Sequence, residues 1–237
     1  MTAIPPAGRI IYALDVPDLA AARAQVALLA GHVGVFKVGL ELFVREGPGV
    51  VRMVHDAGCA VFLDLKLHDI PATTTAAIRS AAALGTRFLT VHAEALAGMP
   101  VKMGEIAPGL AVLAVTALTS LDRAALSAMG YKAALCDPAR LVLKRARMAF
   151  EAGCAGVVCS AHEARRVRAE YGPGFIIVTP GIRPADVSTD DQARVATPAQ
   201  AVLDGADYLV IGRPIRNAPD PVAAAAAIAA GIAAALG

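Results

Sequence analysis

A (β/α)8 barrel of the TIM type, one domain spanning residues 1–237, is the fold that this sequence predicts. Three features carry the prediction. Short apolar, β-branched runs alternate with helix-length segments from end to end. Eight such runs fit into 237 residues, each followed by a helix or a plausible one. Charged residues gather where the runs end, while the bodies of the runs stay apolar. Runs apolar on both faces suit a parallel sheet covered by helices. An open doubly wound sheet shares the alternation, but the count of eight favours closure.

The elements follow in order. RIIYALDV (9–16) leads to a helix over 18–30, VGVFKVGL (33–40) to one over 49–57, and AVFLDLKL (60–67) to one over 73–84. RFLTVHA (87–93) is followed by a weaker, interrupted stretch, MPVKMGEIAPG (99–109). LAVLAVTAL (110–118) leads to a helix over 139–152, and Pro138 before it suits a helix entry. AGVVCSA (155–161) precedes a helix over 161–171, FIIVTP (175–180) one over 197–203, and DYLVIG (207–212) the tail after Pro221. The longest irregular stretch, 181–198, is of a length that is usually functional or disordered in a compact domain. The tail PVAAAAAIAAGIAAALG looks membrane-like, yet it is shorter than the ~20 residues of a span and mostly alanine, so it reads as a last helix packed on the core.

Composition excludes several functions. A net charge of +2, with no run of like charges and no basic stripe interleaved with aromatics, argues against nucleic-acid binding. Cys59, Cys136, Cys154 and Cys159 form no CxxC pair and no zinc spacing with histidine, so they read as free thiols in a reducing compartment. MTAIPPAGRI lacks the pattern of a signal peptide. A cytoplasmic protein without membrane or nucleic-acid partners is expected.

In a barrel the loops after the strands build the active site. Polar residues at the run ends should therefore converge: Asp15, Lys37, Asp64, Lys66, His92, Thr119, Thr179, Arg183, Gly212 and Arg213. Asp64 and Lys66 lie two apart on a strand and so share a face. Nearby carboxylates favour the ammonium form of a lysine, which suits a proton donor better than a Schiff-base nucleophile. The same residues would also serve as a salt-bridge network closing the barrel end. VTPGIRP and VIGRP each set a glycine and an arginine just after a strand, at the two loops where barrels often hold phosphate. Those arginines could instead pair with surface carboxylates. His68 and His92 read as packed residues near the site and not as metal ligands; His32, His55 and His162 read as surface positions.

DLKLHDIPATT (64–74) contains D-x-K-x-x-D-I-P-x-T, and it joins ALDV (13–16), FKVGLELF (36–43), VTALTS (115–120), TPGIRP (179–184), DDQARVATP (190–198) and IGRPI (211–215). This set, in this order over almost the whole chain, resembles the orotidine 5′-phosphate decarboxylase family. The resemblance implies decarboxylation of orotidine 5′-monophosphate to UMP, in de novo pyrimidine biosynthesis, without cofactor or metal. It implies a homodimer with shared active sites. Asp64, Lys66 and Lys37 match a catalytic charged array that Asp69 of the partner subunit completes, with Lys66 as proton donor. Ile70 and Thr73 match substrate contacts that also cross the interface. Asp15 matches a ribose contact and Thr119 a base contact. Arg183, Gln192, Gly212 and Arg213 match phosphate and loop-closure positions. One departure is visible: Ala72 stands where the family often has asparagine.

The chemistry fits such residues. Loss of CO2 from C6 leaves a carbanion in the ring plane, out of reach of the π system, and most decarboxylases borrow a cofactor's electron sink. An ammonium near C6 would stabilise that charge and then protonate it. Two other functions share parts of the pattern. A metal-dependent sugar-phosphate decarboxylase or aldolase shares D-x-K-x-x-D, and a non-catalytic binder on a decayed barrel would keep the phosphate loops.

Overall fold

A computed structural model describes residues 4–99, 101–183 and 196–237. Eight parallel strands close into a barrel in sequence order, each hydrogen-bonded to the next and the last to the first. They are β1 (Ile10–Ala13), β2 (Val35–Gly39), β3 (Ala60–Leu67), β4 (Phe88–His92), β5 (Ala111–Val115), β6 (Gly156–Val158), β7 (Ile176–Thr179) and β8 (Tyr208–Ile211). The helices are α1 (Leu19–Leu29), α2 (Leu40–Glu46), α3 (Gly49–Asp56), α4 (Pro71–Ala83), α5 (Met103–Ile106), α6 (Arg123–Ala128), α7 (Pro138–Glu151), α8 (Ala161–Tyr171), α9 (Pro198–Leu203), α10 (Arg213–Arg216) and α11 (Pro221–Leu236).

Helix entries are encoded locally. Asp137, Thr197 and Asp220 each accept a backbone N–H of the first turn, and each stands directly before a proline. The side chain satisfies an N–H left without a carbonyl, and the proline needs none. Asp18 caps α1 and Ser160 caps α8 in the same way. The expected helices stand within about two residues of their predicted ends. The run ending at Leu40 stops as a strand at Gly39, and α2 begins at once. That short helix, α6 and α10 were not expected, being too short for a helical period to show, whereas α5 falls within the weak stretch 99–109.

Two layers of side chains hold the barrel. The larger lies between strands and helices and includes Tyr12, Phe36, Val54, Ile78, Leu89 and Ile232. The smaller fills the interior with Ile11, Val35, Phe62, Phe88, Leu113, Val178 and Tyr208. Edge-to-face contacts join Phe62 to Phe88 and Phe88 to Tyr208, with centroids 5.9 and 5.1 Å apart. Arg87 lies over the Phe88 ring and donates to the Tyr208 hydroxyl at 2.6 Å. The alanine-rich α11 buries Ala225, Ile228 and Ile232, as expected of a packing helix. No described helix is long and apolar enough to cross a membrane.

Two burial assignments change: His55, read as a surface position, and Cys59, read as a buried thiol in an apolar run. His55 is half-buried, its Nδ1 3.2 Å from the Cys59 carbonyl oxygen, because α3 turns it against the start of β3. Cys59 is only partly buried, whereas Cys136, Cys154 and Cys159 are buried; none of the four is in a disulfide.

Candidate active site

A cavity of about 280 Å³ opens where the strands end. Asp15, Lys37, Asp64 and Lys66 line it, as do Thr119, Arg183, Gly212, Arg213 and Arg216. Its apolar wall includes Phe62, Val115, Val158 and Val210. Segments widely separated in sequence meet here because the closed sheet sets all their strand ends around one rim.

The acidic and basic side chains alternate in space. Lys37 Nζ donates to Asp15 Oδ1 at 2.9 Å and lies 3.8 Å from Asp64 Oδ2. Lys66 Nζ donates to that same Asp64 oxygen at 2.7 Å. One carboxylate oxygen thus faces two ammonium groups. Lys37 and Asp64 are 8% and 9% exposed, so little water screens the pair. Hydrogen bonds from Lys37 to Asp15, and from Lys66 and Thr90 to Asp64, offset the cost of burying the charges. Strand β2 leaves room for this at Gly39, where an added Cβ would come within 2.9 Å of Lys37 Nζ. Gly212 gives similar relief beside β1, since a Cβ there would lie 3.3 Å from Ala13 Cβ and 3.8 Å from Asp15 Oδ2.

Asp64 and Lys66 meet, but the backbone between them is not a plain strand. Leu63 pairs with Leu89 and Leu67 with Val91, so β3 carries a bulge over this stretch. Lys66 has φ 49°, and it is the only non-glycine residue with positive φ among those described. Such a conformation costs a side-chain-bearing residue roughly 1–2 kcal/mol. The opposing strand supports it: Thr90 Oγ1 accepts from Lys66 N at 2.9 Å and donates to Asp64 Oδ1 at 2.8 Å.

Next to the array, the His68 and His92 rings stack with centroids 5.2 Å apart. Burial, then the charges of His68, Arg145 and Lys66, lower the pKa of His92 below the usual histidine value, while Asp64 opposes the shift. Arg145 is buried and joins three loops: it donates to the Thr116 carbonyl and to Tyr131 Oη, and pairs with Glu94. Burial lowers its pKa. This arginine holds the chain on either side of Thr119.

Asp69, Ile70 and Thr73 do not line the cavity; all three are exposed. The Asp69 side chain turns back to accept from Ile70 N at 2.7 Å. Gln192 lies outside the described residues. The ends of its loop are joined, because Arg183 N donates to the Ala196 carbonyl and Ala196 N to the Gly181 carbonyl. Thr179 is fully buried and not on the cavity wall. Among the described residues, no group of three or more His, Cys, Asp or Glu side chains is placed to hold a metal ion.

Residues 8–228 match the family described as orotidine 5′-phosphate decarboxylase / HUMPS. The chain belongs to this family. It is 55% identical to the orotidine 5′-phosphate decarboxylase of Anaeromyxobacter sp. (strain K) over 96% of its own length and 99% of that protein's. Identity to the enzyme of Thermobifida fusca is 54%, over 94% and 95% of the two chains. The crystal structure of the Lactobacillus acidophilus orotidine 5′-phosphate decarboxylase matches with a TM-score of 0.80 at 36% identity, covering 94% of this chain and 98% of that one. The resemblance read from the motifs names the same family, and the closed eight-stranded barrel is the fold expected from the alternation.

Two residues on or beside the cavity escaped sequence reasoning. Arg216 lines it and donates to the Asp15 carbonyl at 2.7 Å. Its signal was its place one helical turn after Arg213. Thr90 was a hydroxyl within an apolar strand, two residues before His92. Nothing in its own run said that it faces a carboxylate of another strand.

Proposed function

We propose that this chain decarboxylates orotidine 5′-phosphate to UMP in pyrimidine biosynthesis, using no cofactor, with Lys66 as proton donor to C6. The observation that carries the proposal is the Asp64 oxygen faced by both Lys66 and Lys37 at the edge of an arginine-lined cavity. Five cationic side chains and two carboxylates line that cavity, which suits a ligand that is anionic at both ends. The pyrimidine carboxylate takes the lysine end. The phosphate takes the end of Arg183 and Arg213, with Gly212 letting the backbone approach. Asp15 serves the ribose and Thr119 the base.

As C6 loses CO2, negative charge grows beside the Lys66 ammonium. At ~4 Å and an effective dielectric of ~20, one such pair is worth about 4 kcal/mol before desolvation. Enzymes supply ~8–23 kcal/mol, so the lysine does not act alone. Asp64 and Lys37 hold it in position, and binding energy from the distant phosphate orders the site without touching C6. Lys66 then transfers its proton to the carbanion and is left as a neutral amine beside Asp64, to be reprotonated from solvent.

The working unit in this proposal is a homodimer. Asp69, Ile70 and Thr73 stand outside the cavity of their own chain, exposed and free to meet another. Leu40, Val44, Ile70 and Leu118 are exposed apolar side chains on segments that follow β2, β3 and β5, a surface that water solvates poorly. Asp69 of the partner subunit would add a second carboxylate to Lys66. A cytoplasmic location goes with the four cysteines outside any disulfide.

A turnover assay that follows orotidylate absorbance with and without EDTA tests the function. Activity should persist in the chelator. Loss of activity in EDTA would favour the metal-dependent chemistry of a sugar-phosphate enzyme, and UMP binding without turnover would reduce the chain to a binder.

A further inference from the structure

We infer that Thr90 is a positioning residue of the charge array, a hydroxyl clamp that sets both the direction of Asp64 and the backbone of Lys66. The proposal rests on the function given above, in which those two residues act on the nucleotide. Thr90 is fully buried in β4, opposite the bulge in β3. The bulge takes the Lys66 N–H out of the regular ladder, and Thr90 Oγ1 accepts it at 2.9 Å. The hydroxyl has a single proton, and a carboxylate has none to give. That proton therefore points at Asp64 Oδ1, 2.8 Å away.

Two consequences follow from one side chain. Occupying Oδ1 leaves Oδ2 as the oxygen for Lys66 and Lys37, at 2.7 and 3.8 Å. Holding the Lys66 amide keeps that residue at φ 49°, the backbone that aims its ammonium into the cavity. Without the hydroxyl, Asp64 Oδ1 loses the donor that fixes χ2 from this side and the part-buried Lys66 amide loses its acceptor. A displacement of about 1 Å in a catalytic group is enough for a 100-fold loss. Arg183 and Arg213, assigned to the phosphate, line the cavity, and Thr90 is not among its lining residues.

Thr90→Val keeps the shape and removes both hydrogen bonds. It should lower kcat by at least about tenfold while KM for orotidylate stays within about threefold. Thr90→Ser, which keeps the hydroxyl, should return kcat to within about threefold of wild type. Thr86→Val is the control, since Thr86 is a buried threonine whose hydroxyl donates to the Ala81 carbonyl, before β4 and away from the cavity. It should lower Tm without changing kcat. Wild-type kcat in Thr90→Val, or equal losses in the Ser and Val variants, overturns the clamp. If Thr90→Val does not fold, Thr90→Cys replaces it, because a thiol donates only weakly. Its kcat must fall at least about threefold below that of Thr90→Ser, and equality overturns the proposal. Lys66→Ala separates the two levels. If it retains turnover, the function assigned to Lys66 fails; if it is inactive while Thr90→Val is normal, only the clamp fails.

Discussion

Lys66 combines an unusual backbone with a central place in the site. It is the residue held in left-handed conformation, and its ammonium meets Asp64 at 2.7 Å. Strain of this kind persists only where neighbours over-determine it, here Thr90 from β4 and Asp64 from the same strand. Replacing Lys66 by alanine removes about 4 kcal/mol of charge stabilisation as well as the proton donor. Turnover should fall at least ~1000-fold, while UMP binding, followed by thermal shift, remains measurable. A variant that still turns over at a tenth of the normal rate would take Lys66 out of the chemistry. His92 supplies a prediction in pH. Its folded pKa lies below 6.5, first through burial and then through its cationic neighbours. On acidification the unfolded chain therefore binds a proton near 6.5 that the folded state refuses until lower pH. The stability in question is present above that value and is lost as pH falls towards the folded pKa. Between about pH 7.5 and about pH 5.5, Tm of the wild type should drop more than that of His92→Asn.

Among the elements, β2 and β3 carry the array, and each departs from an ideal strand where it does so. Strand β2 ends in Gly39, whose missing side chain is the space that Lys37 Nζ occupies. The clash created by Gly39→Ala falls on the mobile end of a lysine and not on backbone. The barrel should therefore fold, with Tm within a few degrees of wild type, while kcat/KM drops by about tenfold or more as the ammonium shifts. Gly156 in β6 is the contrasting case. A Cβ there would stand 2.0 Å from the Ile176 carbonyl oxygen of β7, which is fixed in the sheet. Gly156→Ala should cost about 3 kcal/mol of stability in denaturant unfolding, with no cavity residue changed. If both glycine variants lost activity in proportion to stability, the special role of Gly39 would be gone.

At the scale of the whole molecule, one chain holds Asp15, Lys37, Asp64 and Lys66 but leaves Asp69 on its surface. If the partner subunit's Asp69 completes each site, two inactive variants should rescue one another. Lys66→Ala and Asp69→Ala homodimers should each be inactive. Unfolded together and refolded, they form mixed dimers in which one site has its own Lys66 and the partner's Asp69 intact. Random pairing then restores about a quarter of wild-type activity. No recovery, in a preparation where mass measurement finds mixed dimers, would place Asp69 in its own chain's site or outside the reaction.

Much of this was legible in the sequence because its signals are local. Apolar runs ending in charge, the Asp-Pro and Thr-Pro helix entries, and the arginines after β7 and β8 need only neighbouring residues to be recognised. They determined the alternating elements, the barrel and the names of most residues around its mouth. What the tertiary structure decided is non-local. The two-residue spacing of Asp64 and Lys66 suggested a flat strand with both side chains on one face, whereas a bulge and a left-handed lysine bring them together. Thr90, Arg145 and Arg216 act through partners 26, 29 and 201 positions away in the chain. Strand alternation states which face a side chain takes, but only closure of the sheet decides which groups it meets there, because those contacts are set by register and packing between segments that carry no record of one another.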